Sequence, residues 1–339
     1  MDDPPVPGTP AEARWNRFEP RRSLETDRAY EMLRQAFPPC RINSIAALSG
    51  GYRNANFKVQ LDSPAMAVVL RVYEHAASLC QKEIDLIKLV AGAIPVPELL
   101  FAEPVAMADI APFAIFNFVE GITLRELKQT GDERAIAEAA YSAGEMLAKL
   151  GRFTFSKAGW LSAGPAVTAP LLEGADPLPR FVDLCLDSPN LARRVEPDVC
   201  SQIHDLVWSW AARLSALDEQ KSLVHCDFGM RNLIVRPEQG RWKVAALLDW
   251  EFAVAGSPLT DVGHFLRYEL CGRPLLEPHF SEGFRHGGGK LPPDWRQLAR
   301  VVDVSALVAT LTRDELPQNV ETEIAELIRA TAEDRDPQL

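Results

Sequence analysis

The chain has 339 residues and a formal net charge of −11, from 36 basic and 47 acidic side chains. That length holds two lobes with cores of their own, and the acidic excess argues against nucleic acid as a partner, because phosphate backbones are gripped by clustered Lys and Arg. No apolar run reaches bilayer length, the start Met1-Asp2-Asp3-Pro4-Pro5 is unlike a signal peptide, and the six cysteines are scattered, so we expect no membrane partner and a cytoplasmic protein with reduced thiols.

Residues 1–22 read as a loose, proline-rich tail. Residues 48–59 then read as strand, small turn, strand. The pair Gly50-Gly51 would let backbone N–H groups approach phosphate oxygens, with Asn54 just behind it; a plain hairpin turn is the competing reading. Residues 67–72 form a β-branched run carrying one basic residue, Arg71. Residues 81–90 have a helical period with Ile84, Ile87 and Val90 on one face, and Glu83 one position before that face begins. Two prolines, Pro95 and Pro97, end the helix, and Phe113 to Phe116 start an apolar strand that runs into Gly121. Beyond it the pattern turns mostly helical. Residues 133–150 place Ile136, Ala140, Ala143, Leu147 and Leu150 on one face, and residues 159–189 are rich in Gly, Pro and Ala, with periodicity returning at Phe181. Residues 197–217 read as one helix with Val207, Trp208, Trp210, Ala211 and Leu214 inside, and helices at 261–270, 295–311 and 320–332 close the chain.

The chemistry concentrates in residues 223–232 and in the apolar run that ends at Asp249. A phosphoryl-transfer site needs one carboxylate to take the proton of an attacking hydroxyl and two oxygen ligands to hold magnesium against nucleotide phosphates. The spacing His-x-Asp-x-x-x-x-Asn offers Asp227 as the base and Asn232 as one metal ligand; Asp249 offers the other. Asp227-Phe228-Gly229 also spells the magnesium-binding tripeptide of protein kinases. In that register a base loop should lie upstream, yet His204-Asp205 has its two residues adjacent and Trp210 where the asparagine belongs. Asp227 is therefore read as the base. No G-x-x-x-x-G-K-[ST] occurs, which excludes a P-loop.

With these residues in hand, the chain resembles the aminoglycoside phosphotransferase family, relatives of the protein kinases that phosphorylate small molecules. Residues 225–232 look like that family's catalytic loop, Leu248-Asp249-Trp250-Glu251 like its metal strand, and Asp261-Val262-Gly263 like the aspartate motif that braces the loop from behind. The resemblance implies an α+β, bilobal protein-kinase-like fold: a small N-terminal antiparallel β-sheet lobe with one helix, residues 23–118, and a larger, mostly helical C-terminal lobe, residues 119–339. It further implies that Arg71 neutralises nucleotide phosphates where kinases use lysine, held by Glu83. A strand arginine and a helix glutamate on solvated faces are the competing readings. Asn117, Phe118 and Val119 would meet the adenine edge as the hinge. Arg231 would touch the transferring phosphoryl group or form a surface salt bridge, and His225 would brace the loop rather than titrate.

The implied activity is transfer of the γ-phosphoryl group of ATP, with GTP as the alternative, to a hydroxyl of a small molecule, with Mg2+. The acidic total and the carboxylates Glu173, Asp176, Asp183 and Asp187, with Glu251, Glu269 and Glu277 after the loop, suit a polycationic acceptor. Glu251, Asp183 and Glu269 are the acceptor-contact candidates, and an aminoglycoside-type antibiotic is the first expectation. A housekeeping kinase for homoserine, choline or a sugar amine, and an inactive nucleotide-binding module, are the alternatives.

Overall fold

The computed structural model describes residues 24–48, 54–73, 77–107, 110–271 and 274–333; the tail at 1–22 and the Gly50-Gly51 turn lie outside them. Helix α1 (Thr26–Leu33) precedes strands β1 (Arg41–Ala47), β2 (Ala55–Ser63) and β3 (Ala65–Val72), then α2 (Ala77–Val90), β4 (Leu99–Glu103) and β5 (Phe113–Asn117). The strands form one antiparallel sheet in the order β1-β2-β3-β5-β4. Alternation along β2 buries Ala55, Phe57, Val59 and Leu61. They pack with Val68, Leu70, Phe113 and Ile115 against Met32 and Leu33 of α1. Ala114 and Phe116 point to the other face, where Ile84, Ile87 and Val90 of α2 join the main core. Arg71 thus stands on a central strand, opposite Asn56 on one side and Ala114 on the other.

The chain leaves the sheet through Gly121, whose φ of +149° would bring a Cβ to 2.7 Å from Ile234 Cγ2 and the Val235 carbonyl. Only glycine turns there without collision. Next come β6 (Ile122–Thr123) and α3 (Leu124–Gln129), whose start is fixed by reciprocal bonds between Thr123 and Glu126. Helix α4 (Glu133–Leu150) has the bounds its periodicity gave and is capped by Asp132. After β7 (Gly159–Leu161) and β8 (Val167–Ala169), α5 (Pro177–Leu186) begins four residues before the periodicity returns, with proline in its first turn.

Helix α6 (Pro189–Ala192) follows, and the expected single helix at 197–217 is two, α7 (Pro197–Ser209) and α8 (Ala211–Ser215). The break is at Trp210, with φ −100° and ψ 3°, outside the helical well. Trp208 and Trp210 are only half-buried. Strands β9 (Ser222–Val224), β10 (Leu233–Glu238), β11 (Arg241–Leu247) and β12 (Val254–Gly256) then frame the site, in sheets ordered β11-β10-β6 and β8-β7-β12-β9. Helices α9 (Leu259–Leu266), α10 (His279–His286), α11 (Trp295–Leu311) and α12 (Gln318–Glu333) complete the lobe. A Cβ on Gly263 would stand 2.3 Å from the Ala299 carbonyl, so α9 lies backbone against backbone on α11. The result is the bilobal, protein-kinase-like α+β fold. Among the described residues no helix is long and apolar enough to cross a membrane.

Candidate active site

Strand β9 delivers the loop at 225–232 into a brace. The carboxylate of Asp261 accepts the N–H of His225 at 2.7 Å and of Cys226 at 2.8 Å. Burial raises the Asp261 pKa to about 7, against the pull of those two amides. The brace holds Cys226 at φ +62°, a strained value for a non-glycine residue. His225 is buried, accepts the Asp227 N–H on Nδ1 at 3.2 Å and contacts the Leu248 carbonyl through Nε2 at 3.0 Å. One nitrogen accepts and the other donates, so the ring is neutral, and burial lowers its pKa to about 4. His225 is thus a strut between the loop and the metal strand. Asn232 closes the turn, its Nδ2 donating to the Asp227 carbonyl at 2.9 Å and its own carbonyl accepting from Leu248 at 2.9 Å.

Asp249 follows β11 at φ +66° and meets the small lobe directly. Arg71 Nη2 lies 2.8 Å from its Oδ1, while Arg71 Nε is in ion-pair contact with Glu83 Oε2 at 2.9 Å. The expected Arg71–Glu83 pair is therefore present. Burial works against the Arg71 charge, but Glu83 and Asp249 outweigh it and hold its pKa well above the ordinary value. Glu83 also accepts from Tyr73 Oη at 2.6 Å and from the Trp250 N–H at 3.4 Å. Two further bonds end on Glu251: Asn54 Nδ2 donates to its carboxylate at 3.1 Å, and Lys82 Nζ donates to its carbonyl at 2.9 Å. Lys82 is buried, which lowers its pKa to about 8. Neither Lys82 nor Tyr73 stood out in the sequence, since each sits in an ordinary helix or strand pattern.

Behind Asp227 lies a second buried chain. Arg267 grips Asp303 through Nε at 3.1 Å and Nη2 at 2.5 Å, and the same Nη2 donates to Nδ1 of His264 at 3.1 Å. A donor on Nδ1 leaves the imidazole proton on Nε2, which stands 3.7 Å from Asp227 Oδ1. Only the signal of a histidine three residues after Asp261 could have pointed to it, and helical spacing alone gives no target.

The remaining candidates divide. At the hinge, the Asn117 N–H donates to Glu98 and the Phe118 N–H to Ala67, and Lys58 Nζ sits 3.6 Å over the Phe118 ring. Asp183 is engaged within the helices, contacting His204 Nδ1 at 2.7 Å and accepting from Trp208 Nε1 at 2.9 Å. One oxygen of Glu269 accepts the N–H groups of Leu275, Leu276 and Glu277. Both carboxylates do structural work. Arg231 faces a pocket shared with Arg125, Lys128 and Tyr268.

A braced base, an asparagine tied to it and an aspartate met by the small lobe's arginine are what a phosphotransferase is built from, and the comparison with known families agrees: the model described as the phosphotransferase enzyme family, APH, matches residues 44–301. The chain belongs to that family. Among solved structures the phosphotransferase is similar to aminoglycoside phosphotransferase APH(4)-Ia, with a TM-score of 0.63 at 19% identity over 91% of this chain and 97% of that one. It is also similar to a GDP complex of an aminoglycoside 2'-phosphotransferase-IIIa mutant, with a TM-score of 0.68 at 18% identity over 91% and 97%. At such identities the likeness shows the fold. Among curated proteins it is 28% identical over 272 residues to acyl-CoA dehydrogenase family member 11 of Gallus gallus, covering 77% of this chain and 32% of that protein. To acyl-CoA dehydrogenase family member 10 of Mus musculus it is 26% identical over 191 residues, 56% of this chain and 17% of that one. The phosphotransferase thus spans a third or less of these curated relatives.

Proposed function

We propose that this phosphotransferase moves the γ-phosphoryl group of ATP, with GTP as the alternative, to a hydroxyl of a small molecule. The observation that carries the reading is the unbroken set of bonds from Asp227 through Asn232 and Leu248 to Asp249 and Arg71. Asp227 orients the acceptor hydroxyl and takes its proton. Asn232 and Asp249 are one amide and one carboxylate on adjoining turns, a donor set that fits Mg2+, which keeps few protein ligands and completes its shell with phosphates and water. Held by these two residues, Mg2+ would supply positive charge against the nucleotide phosphates. Arg71, fixed by Glu83, neutralises the nucleotide; Gly50 and Gly51, outside the described residues, would cover it, with Asn54 behind them. Arg231 would approach the transferring group. In this reading residues 23–118 form the nucleotide lobe and 119–339 the acceptor lobe. A cytoplasmic site of action is part of it, supported by the free thiols of Cys40, Cys80, Cys185, Cys200 and Cys226.

For the acceptor, an aminoglycoside antibiotic, and with it resistance, is supported by solved relatives whose complexes contain hygromycin B and kanamycin. A second reading, a hydroxyl on an acyl-CoA, is supported by curated relatives that carry acyl-CoA dehydrogenase in their names. The test is a thermal melt followed by an acceptor screen. ATP with Mg2+ at about 100 times its Kd should stabilise the fold by roughly 2.7 kcal/mol, and chelator should abolish the gain. A melt indifferent to both nucleotides with Mg2+ removes the reading.

A further inference from the structure

We infer that the acceptor carries an anionic group, a carboxylate or a phosphate, and that Arg125, Lys128 and Arg231 receive it. This deepens the phosphotransferase reading and rests on it. The three cations line a cavity of about 320 Å³ together with Tyr268, Met230 and one carboxylate, Glu323. Its position relative to the chemistry is fixed by the backbone, since the Arg125 N–H donates to the Met230 carbonyl at 3.1 Å. The first turn of α3 is thereby tied to the loop that bears Asp227, and two residues of that loop, Met230 and Arg231, line the cavity.

The charge balance decides the kind of molecule. Lys128 Nζ is 3.4 Å from Glu269 Oε1, but the other oxygen of that carboxylate is held by three backbone amides, so its charge is already shared. Arginine has five N–H donors in a planar fork, so one bonded to a protein carboxylate still has donors for a second oxyanion. A polycation entering here would meet three like charges against one lining carboxylate, Glu323, while two carboxylates that could have drawn it, Asp183 and Glu251, are bonded to Trp208 and Asn54. Tyr268 and Met230 offer apolar wall for the carbons that connect the anionic end to the hydroxyl.

The experiment measures binding and turnover on the full chain with Mg2+ and nucleotide. Calorimetric titrations with AMP-PNP present compare 3-hydroxybutyrate, glycerol 3-phosphate and 3-hydroxybutyryl-CoA with hygromycin B and neutral 1,3-butanediol; ATP-coupled turnover is followed for each. At least one anion should bind and be phosphorylated in preference to hygromycin B and the diol. The first two arms separate carboxylate from phosphate recognition. Arg125→Glu and Lys128→Glu should weaken that anion at least tenfold with the nucleotide-induced rise in Tm retained; Lys128→Gln, a milder change, serves if charge reversal lowers stability. Preference for hygromycin B, or anion affinity indifferent to all these variants, overturns the inference. If no anion binds while Mg2+ and ATP still raise Tm, the pocket assignment falls and the phosphotransferase reading stands. If Tm does not rise, it is that reading which falls.

Discussion

Where the small lobe meets the large one, Arg71, Glu83, Lys82 and Asn54 are all buried and bond to residues 249–251. Around the pocket beside Met230, Arg125, Lys128 and Arg231 are half-buried. In the first region each charge depends on its partners for solvation, so no member can change alone. In the second, Arg125 and Lys128 are partly exposed and their charges can be exchanged at small cost, whereas Nε and Nη2 of Arg231 are buried. Under the proposed function, the dry network would serve the nucleotide and the pocket would set selectivity, since its groups can vary without disturbing that network.

The largest effect expected is on the base. Asp227→Asn should lower kcat by about 10²- to 10⁴-fold while ATP and Mg2+ still raise Tm; Asp249→Asn should instead weaken nucleotide binding, read by the same melts. The reverse pattern would exchange their roles and place the metal on the loop. Next, Glu83→Ala removes one of the two carboxylates on the buried Arg71 and the acceptor of the Tyr73 hydroxyl, and should cost about 3–5 kcal/mol in a denaturant titration. Lys128→Ala, at the other end of the comparison, should cost less than about 1 kcal/mol. Equal losses would erase the distinction between the two regions.

His264 tests whether the dry principle extends behind the base. His264→Leu removes the N–H facing Asp227 and should lower kcat by about tenfold to a hundredfold with little change in nucleotide KM. His264→Gln keeps a donor and should recover much of the loss; equal kcat in the two variants would make His264 a packing residue only.

The smallest effect concerns pH. His225 has a pKa of about 4 in the folded state against an ordinary 6.5, so as pH falls through that window the unfolded chain binds a proton the folded one refuses. Stability is lost by at most about 1.4 kcal/mol per pH unit. Asp261, raised to about 7 from 3.8, acts in the opposite sense over much of the same range. Wild-type melts therefore show a small net slope, and His225→Gln should isolate the histidine: the variant should gain on the wild type between pH 6.5 and 4. A constant gap would mean His225 is protonated in the fold.

Residues 225–232 were singled out because phosphoryl transfer demands particular residue types at fixed spacing, and the structure ties Asn232 to the Asp227 carbonyl; the Asp261 brace on His225 followed from the family resemblance. The Arg71–Glu83 pair followed from the family resemblance. Helix α4 was readable to the residue because one face stays apolar for five turns, whereas the break at Trp210 was not, since helical periodicity continues across it. His264, Arg267 and Asp303 meet because Gly263 lets α9 lie against α11, a tertiary event with no local signature. Tyr73 and Lys82 were hidden for the same reason. The carboxylates expected to draw a cation were counted by charge alone. Asp183 and Glu269 turned out to serve a tryptophan and a row of amides, partners that sequence distance conceals.

Because four small-lobe residues fasten to one short stretch of chain, the joint between the lobes behaves as a latch. Residues 249–251 cannot follow the large lobe for one bond and the small lobe for another, so these contacts release together. If exit of spent nucleotide limits turnover, its rate belongs to this latch. Lys82, whose amine holds a carbonyl, then sets how quickly the protein lets go of what it has used.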